Sequence, residues 1–85
     1  MSKEWHLYIV ECSDKSLYTG ITTDLERRVL EHNTSNKGSK YTRTRRPVKL
    51  VYNETHIDRS SSSKRESEIK KLSRGDKLKI IYNKK

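Results

Sequence analysis

The chain has 85 residues, of which 29% are hydrophobic and none is Phe, so it excludes a large apolar core and favours one domain over residues 1–85. Charged residues make up 36%, and twenty Lys and Arg against eleven Asp and Glu give a formal net charge of +9. This excess favours an anionic partner, most often nucleic acid, although a basic protein without a specific partner would show it as well.

The first elements along the chain are two short strands. Trp5–Cys12 is dense in β-branched and aromatic residues, which is typical of a mostly buried strand. Residues 13–16 read Ser-Asp-Lys-Ser and supply turn chemistry, and Leu17–Ile21 resumes the strand pattern. We therefore predict a β-hairpin.

A helix is predicted next, over residues 25 to about 33. The Thr-Thr-Asp sequence at 22–24 carries oxygens that can cap its start, and Glu26 stands three residues after Thr23, as in a capping box.

Helical periodicity separates two adjacent arginines. Leu25, Val29 and His32 share the buried face of the predicted helix, Arg28 lies on its border, and Arg27 points to solvent. Arg28 could either pair with a core carboxylate or present its guanidinium to a phosphate. A histidine in the position of His32 is more often packed and hydrogen-bonded than a ligand or a base.

The second half of the chain adds one strand and two helices. Residues 33–47 are a polar, basic connector, and Val48–Thr55 alternates as a third strand. Ser60–Leu72 contains helix formers, but a run of serines leaves its start open. A last helix is capped near Ser73, with three candidates for its inner face: Leu78, Ile81 and Tyr82. The order β-β-α-β-α-α predicts an α+β fold with a small three-stranded sheet covered by helices.

Two tyrosines and a glycine of the hairpin are candidates for a site. Tyr8 and Tyr18 lie in the two strands, and strand tyrosines usually serve packing. Gly20, however, would let a ligand come close. If both hydroxyls and Arg28 converge on one spot, that spot would suit a phosphodiester.

A metal-dependent nuclease would also need a carboxylate, because Mg²⁺ prefers oxygen ligands. Glu66 and Glu68 both border the apolar side of the predicted helix over 60–72, so helical geometry does not choose between them. Either could instead pair with a nearby lysine on a solvated face.

Cysteine count and hydropathy exclude other classes. The one cysteine, Cys12, is expected to be a buried thiol, and three scattered histidines with it do not make a zinc site. No signal peptide or membrane-spanning run is visible, so we expect a soluble, cytoplasmic protein without a membrane partner. The sequence leaves open whether the chain is a monomer or a weak dimer.

The sequence resembles the GIY-YIG nuclease domain over nearly its whole length, in particular the small single-domain bacterial YhbQ-like (UPF0213) group. The second half of the signature stands as Tyr18-Thr19-Gly20, whereas the first half reads His6-Leu7-Tyr8 and keeps only the tyrosine of Gly-Ile-Tyr. The matching blocks are HLYIVECSDKSLYTGITTDLERRVLEHN, KGSKYTRTRRPVKLVY and SSSKRESEIKKLSRGDKLKII.

The resemblance implies an antiparallel sheet flanked by helices and an endonuclease that hydrolyses DNA with one divalent metal, Mg²⁺ or Mn²⁺. It associates the domain with DNA repair or processing. By resemblance, Tyr8 activates the attacking water, and Tyr18 supports the same water and phosphate. Arg28 contacts the scissile phosphate, and Glu66, rather than Glu68, binds the metal.

Further positions follow from the same resemblance. Gly20 matches the glycine that ends the second motif strand, and His32 matches a histidine that many members carry. The basic connector is expected to contact nucleic acid, and the ring of Tyr41 could stack on a base. The alternative is that the connector is a solvated loop. Its candidate residues are Lys37, Lys40, Tyr41, Arg43, Arg45 and Arg46.

The reduced first motif supports a second hypothesis, a nucleic-acid-binding module of the same fold with weak or no catalysis. A third, an RNA- or ribosome-associated basic protein, is supported by charge alone. An enzyme requires Tyr8, Tyr18, Arg28 and Glu66 to converge on one cleft. In a binding module, Glu66 would be free to pair with a lysine.

Overall fold

The computed structural model describes residues 4–35 and 37–82, which form three strands and four helices. The predicted α+β architecture is confirmed, with one short helix added in the basic connector. The strands are β1 (Trp5–Glu11), β2 (Leu17–Thr22) and β3 (Lys49–His56), and the helices are α1 (Leu25–Thr34), α2 (Lys40–Arg43), α3 (Arg59–Lys70) and α4 (Arg74–Tyr82).

The strands form one antiparallel sheet in the order β2-β1-β3. Because β1 is central and carries helices on both faces, its residues 7–10 are all buried. Leu7 and Ile9 pack with Ile69 of α3 and Ile81 of α4. The opposite face carries Tyr8.

The Tyr8 face of the sheet packs against α1. Tyr8, Val10 and Cys12 form its buried cluster, with Leu25 and Val29 of α1 packed against it. Cys12 is buried and free, as predicted. The register between β1 and β3 shifts by one residue between Ile9 and Val10, and such bulges often lie beside functional sites.

The predicted hairpin between β1 and β2 is confirmed. One carboxylate oxygen of Asp14 accepts hydrogen bonds from the backbone N–H of Ser16 (3.0 Å) and from its hydroxyl (2.5 Å). Lys15 has a positive φ of 72°, which completes the reversal. Its carbonyl accepts a hydrogen bond of 2.6 Å from Arg74, so the turn is tied to the start of α4.

The structure corrects the predicted start of α1 and defines the start of α3, which the sequence leaves open. Asp24 rather than Thr23 caps α1, accepting from the backbone N–H of Arg27 at 3.0 Å, so the predicted capping box is wrong. Asp58 caps α3 by accepting from the N–H of Ser61 at 2.8 Å, and the serine run is therefore helical. Both starts follow the general preference for Asp at a helix N-cap.

The last helix follows the prediction at its start and departs from it at its end. The hydroxyl of Ser73 accepts from the N–H of Asp76 at 3.1 Å, as expected of a cap. Ile81 is buried, but Tyr82 is 72% exposed and does not face inward. Among the described residues, no helix has the length and apolarity needed to cross a membrane.

Candidate active site

Tyr8 is at the centre of a polar cluster between β1 and α1. Its hydroxyl lies 2.8 Å from Nε2 of His32 and accepts a hydrogen bond of 3.3 Å from Nε of Arg28. The whole residue is only 1% exposed. The centre of the sheet therefore carries a buried phenol held by one cation and one imidazole.

Gly20 stands opposite Tyr8 in the register of β1 and β2. A Cβ added at Gly20 would lie 2.6 Å from the Tyr8 hydroxyl oxygen and 2.8 Å from the ring carbon that bears it. The backbone of Gly20 does not have a positive φ. Its role is thus to leave space for the phenol, which explains why a glycine ends the second motif.

His32 is fully buried and contacts α2 through its second ring nitrogen. Nδ1 lies 2.8 Å from the hydroxyl of Thr42, which donates to the carbonyl of Ser39 at 3.2 Å. Because the Thr42 hydroxyl donates its one proton to the Ser39 carbonyl, it accepts from Nδ1–H of His32, and Nε2 then accepts from the Tyr8 hydroxyl. Burial first, and then the charge of Arg28, lower the pKa of His32 to about 4. At neutral pH His32 is therefore an uncharged proton acceptor.

The two adjacent arginines occupy the positions that the helical periodicity predicts. The side chain of Arg27 is 55% exposed, whereas that of Arg28 is 23% exposed. Nη1 of Arg28 donates to Glu31 at 3.0 Å and to the carbonyl of Lys37 at 2.8 Å. Nη2 donates to no other described residue. Arg28 is thus held in place through Nε and Nη1, and its Nη2 is available to donate to a ligand.

Tyr18 joins this cluster to the basic connector. Its ring meets His32 edge-on with centroids 5.3 Å apart, and it stacks on the ring of Tyr41 at 5.9 Å. The guanidinium carbon of Arg45 lies 4.0 Å from the centroid of Tyr41. A base that stacks on Tyr41 would therefore have to share or displace these contacts.

The structure distinguishes the two candidate carboxylates of α3. Glu66 is 24% exposed and its Oε2 lies 3.2 Å from Nζ of Lys70. Glu68 is 54% exposed and pairs with Arg65 at 3.3 Å. The negative charge of Glu66 contributes to a raised pKa at Tyr8. Of the two carboxylates, Glu66 is the one whose charge contributes to the pKa shift of Tyr8.

The pKa of Tyr8 defines what its hydroxyl can do. Burial raises it to about 12, and the nearby charges of Tyr18 and Glu66 also raise it, while the hydrogen bond and charge of Arg28 act in the opposite direction. Tyr8 is therefore a neutral phenol at pH 7. It can take part in proton transfer only by giving its own proton to His32 as it accepts another.

The basic connector contains residues with two different roles. Arg46 donates to the carbonyls of His32 and Ser35, both at 2.6 Å. Arg45 donates to Asp14 at 3.2 Å and to the carbonyl of Tyr41 at 2.8 Å. These two arginines hold the connector onto the domain. The side chains that extend into solvent are those of Lys37, Lys40 and Arg43.

Sequence reasoning missed residues on α2 and α4. Thr42, buried against His32, has a sequence signal only in the Ser-x-x-Thr spacing that caps α2. A cavity of about 220 Å³ beside Tyr41 is also lined by Arg74 and Lys77 of α4. These cations lie far from Tyr41 in the chain, so only the fold brings them together.

The domain matches a known family. The sequence profile of the GIY-YIG catalytic domain covers residues 4–79. The chain belongs to the GIY-YIG family. Membership supports a nuclease-like function, and the position of Tyr8, Tyr18 and Gly20 in neighbouring strands accounts for the spacing of its signature.

Within that family, the similar proteins are UPF0213 proteins. One from Desulfotalea psychrophila is 64% identical over 69 residues, which are 81% of this chain and 63% of that protein. This chain thus spans less than two thirds of that relative. One from Syntrophus aciditrophicus is 54% identical over 81 residues, 95% of this chain and 92% of that protein.

Two solved structures share the fold. The solution NMR structure of a UPF0213 protein from Bacillus halodurans is 42% identical, with a TM-score of 0.59 over 92% of this chain and 82% of that one. The solution NMR structure of a protein from E. faecalis is 35% identical, with a TM-score of 0.60 over 94% and 88% of the two chains.

Proposed function

We propose that this domain is a metal-dependent endonuclease that hydrolyses phosphodiester bonds in DNA. The observation that carries the proposal is the convergence of Tyr8, Tyr18, Arg28 and His32 in one hydrogen-bonded and aromatic cluster, within reach of the charge of Glu66. A role in DNA repair or processing would follow from family membership alone.

Proton transfer in this proposal runs through two side chains. Water attacks phosphorus, a new P–O bond forms, the bond to the leaving oxygen breaks, and the leaving oxygen takes a proton from solvent. The Tyr8 oxygen accepts a proton from the water while its own proton moves along the hydrogen bond to Nε2 of His32, which lies 2.8 Å from the Tyr8 oxygen. This exchange avoids a free phenolate, which the raised pKa of Tyr8 disfavours. The imidazolium that it forms is itself disfavoured by the lowered pKa of His32, so it is short-lived and returns its proton to Tyr8 as Tyr8 releases the proton of the water.

Arg28 would stabilise the charge that develops on the phosphate. Its Nε and Nη1 are held by Tyr8, Glu31 and the Lys37 carbonyl, so the remaining Nη2 is oriented before substrate arrives. A fixed donor of this kind needs no reorganisation during the reaction.

A divalent metal fits this site in one limited sense. Among the described residues, no three His, Cys, Asp or Glu side chains are grouped to hold an ion. Glu66 offers one carboxylate, and Mg²⁺ commonly binds one or two carboxylates together with waters and substrate phosphates. When bound on Glu66, the metal would supply Lewis-acid stabilisation of a phosphate oxygen.

Nucleic-acid contacts would come from the exposed part of the connector and from α4. Lys37, Lys40 and Arg43 extend into solvent. Arg74 and Lys77 line the cavity beside Tyr41. We propose that these five cations bind phosphates on either side of the tyrosine cluster, while Arg45 and Arg46 maintain the shape of the connector.

The experiment incubates purified protein with plasmid, single-stranded and branched DNA, in Mg²⁺, in Mn²⁺ and in chelator. Glu66→Gln is compared with Glu68→Gln, an equal change two residues away on the same helix. We expect metal-dependent cutting that Glu66→Gln lowers by about 10²–10³ and Glu68→Gln leaves nearly unchanged. Equal cutting by both variants, or no metal-dependent cutting of any substrate, would overturn the proposal.

A second candidate function is a nucleic-acid-binding module without efficient catalysis. The ion pair between Glu66 and Lys70 and the near-complete burial of Tyr8 favour it. It predicts binding that weakens steeply with salt, and Glu66→Gln and Arg28→Ala variants that bind normally in a protein that cuts nothing.

A further inference from the structure

Lys70 places a positive charge directly at the proposed metal position. Its Nζ lies 3.2 Å from Oε2 of Glu66 and 6.0 Å from the ring centroid of Tyr18. The ammonium is therefore close to both the carboxylate and the aromatic cluster. A divalent ion that binds Glu66 would compete with it for the same oxygens.

This ion pair contributes little to stability. Glu66 and Lys70 are four residues apart on α3, and the lysine side chain is 51% exposed. Exposed pairs with this helical spacing are weak, since solvent screens them and the side chains lose rotamer freedom. The contact can thus be exchanged for another without unfolding the helix.

The charges around Glu66 also disfavour the binding of a divalent metal ion that arrives without a phosphate. Glu66 is a single carboxylate, and the tyrosine cluster that it influences already contains the guanidinium of Arg28. The chain as a whole carries a formal net charge of +9. A divalent ion would meet two neighbouring cations and one acidic ligand, whereas an ion that arrives with a phosphate brings its own oxygens and negative charge.

We infer that Lys70 is a built-in counter-ion that closes the Glu66 metal position in the free protein, so that the divalent metal enters together with a nucleic-acid phosphate. The inference rests on the proposed function to the extent that Glu66 is the metal ligand. On substrate binding, the Lys70 ammonium moves from the Glu66 carboxylate to the phosphate. Lys70 is thus a positioning residue for metal entry.

The test measures Mn²⁺ binding to the intact, nucleic-acid-free protein by electron paramagnetic resonance. Lys70→Met, which keeps most of the length of the side chain and removes its charge, is compared with Lys71→Met, the same change at the next, exposed residue. We expect about tenfold tighter Mn²⁺ binding for Lys70→Met, because a unit charge a few ångströms from a divalent ion is removed. Wild type and Lys71→Met should bind Mn²⁺ weakly and alike.

A second arm adds an uncleavable phosphorothioate oligonucleotide. Wild type should then bind Mn²⁺ much more tightly than without it, and Lys70→Met should gain less. Without the oligonucleotide, the double variant Glu66→Gln/Lys70→Met should lose the tighter Mn²⁺ binding that Lys70→Met alone shows. Lys70→Gln is measured in parallel, and an unchanged thermal midpoint in either variant establishes folding.

Equal Mn²⁺ binding by the Lys70→Met and Lys71→Met proteins would overturn the inference. So would wild-type protein that binds Mn²⁺ as tightly without the oligonucleotide as with it. Because binding is measured without turnover, failure of the nuclease proposal is distinguishable: tighter Mn²⁺ binding by Lys70→Met with no cutting of DNA would support the inference and contradict the nuclease.

Discussion

Gly20 and Tyr8 show how one missing methyl group positions the site. The closest atoms to a Cβ at Gly20 belong to the Tyr8 phenol, which is itself buried and hydrogen-bonded to His32 and Arg28. A larger residue would therefore displace the reactive hydroxyl rather than a loosely held side chain.

We expect Gly20→Ala to lower the free energy of unfolding by about 1–3 kcal/mol, the usual cost of overpacking a filled core. Urea denaturation measures it. Gly75→Ala is the control, since a Cβ there meets only the Ser73 hydroxyl, at 3.9 Å. In the helix α4 that change should be neutral or stabilising. A Gly20→Ala protein as stable as Gly75→Ala would contradict the steric account.

His32 makes stability depend on pH. Its folded pKa of about 4 lies below the ordinary histidine value of 6.5, because burial and the charges of Arg28 and Arg46 disfavour the imidazolium while Glu31 partly opposes them. Between these two values the unfolded chain binds more protons, so the free energy of unfolding falls as the pH falls. The stability that neutral His32 contributes is complete above pH 6.5 and is lost towards pH 4.

From pH 7 to pH 5 we expect a loss on the order of 2 kcal/mol, at about 1.4 kcal/mol per pKa unit. Carboxylates with lowered pKa, such as Glu54, lose their contribution only at lower pH. Urea denaturation at both pH values, for wild type and for His32→Gln, isolates the histidine. If the variant shows the same loss as wild type, His32 is not its source.

Several residues of the tyrosine cluster can be predicted from the sequence, but the carboxylate and the lysine that act beside it cannot. Helical periodicity separated Arg28 from Arg27, because exposure on a helix depends mainly on angle. It could not choose between Glu66 and Glu68, because that choice depends on how α3 lies against the sheet. The Lys70 contact across the face of Tyr18 depends on the same packing.

At the scale of elements, α2 is a four-residue helix that supports His32. Ser39 caps it, and Thr42 is its one buried residue. The Thr42 hydroxyl links Nδ1 of His32 to the Ser39 carbonyl. The helix therefore fixes the ring orientation and the tautomer of the histidine.

We expect Thr42→Val, which keeps the shape of the side chain, to lower the free energy of unfolding by about 1–3 kcal/mol, because the buried Nδ1–H of His32 loses its acceptor. Thr44→Val, an equal change at an exposed residue just beyond α2, is the control and should cost much less. Chemical denaturation compares the two. Equal stability of the two variants would show that α2 does not support His32 through this bond.

The strands and α1 could be predicted from sequence because their apolar residues are periodic or continuous. The helix α2 could not, since it has four residues and no apolar repeat, and its only signal is the Ser39 cap. The serines of α3 leave its start open in the sequence, although Asp58 carries a capping side chain. Tyr82 was placed inward by periodicity, but α4 covers the core only with its other face.

At the scale of the whole molecule, the formal net charge of +9 predicts binding that depends strongly on salt. If Lys40 and Arg43 contact phosphates, Lys40→Gln/Arg43→Gln should reduce the slope of log affinity against log salt concentration by about two. Fluorescence anisotropy with a labelled oligonucleotide measures it.

The control is Lys64→Gln/Lys79→Gln, which removes the same charge from exposed residues of α3 and α4. Its slope should stay close to that of wild type. If both double variants reduce the slope equally, binding follows net charge alone and the basic connector is not a specific contact surface.

Single-turnover cleavage of DNA in Mg²⁺ by Arg28→Ala and Arg27→Ala tests most directly whether Arg28 is part of a working site. The two variants remove the same charge from neighbouring residues of one helix. The account predicts a loss of about 10²–10³ in rate for Arg28→Ala and a change of at most a few-fold for Arg27→Ala. Equal rates for the two variants would contradict it.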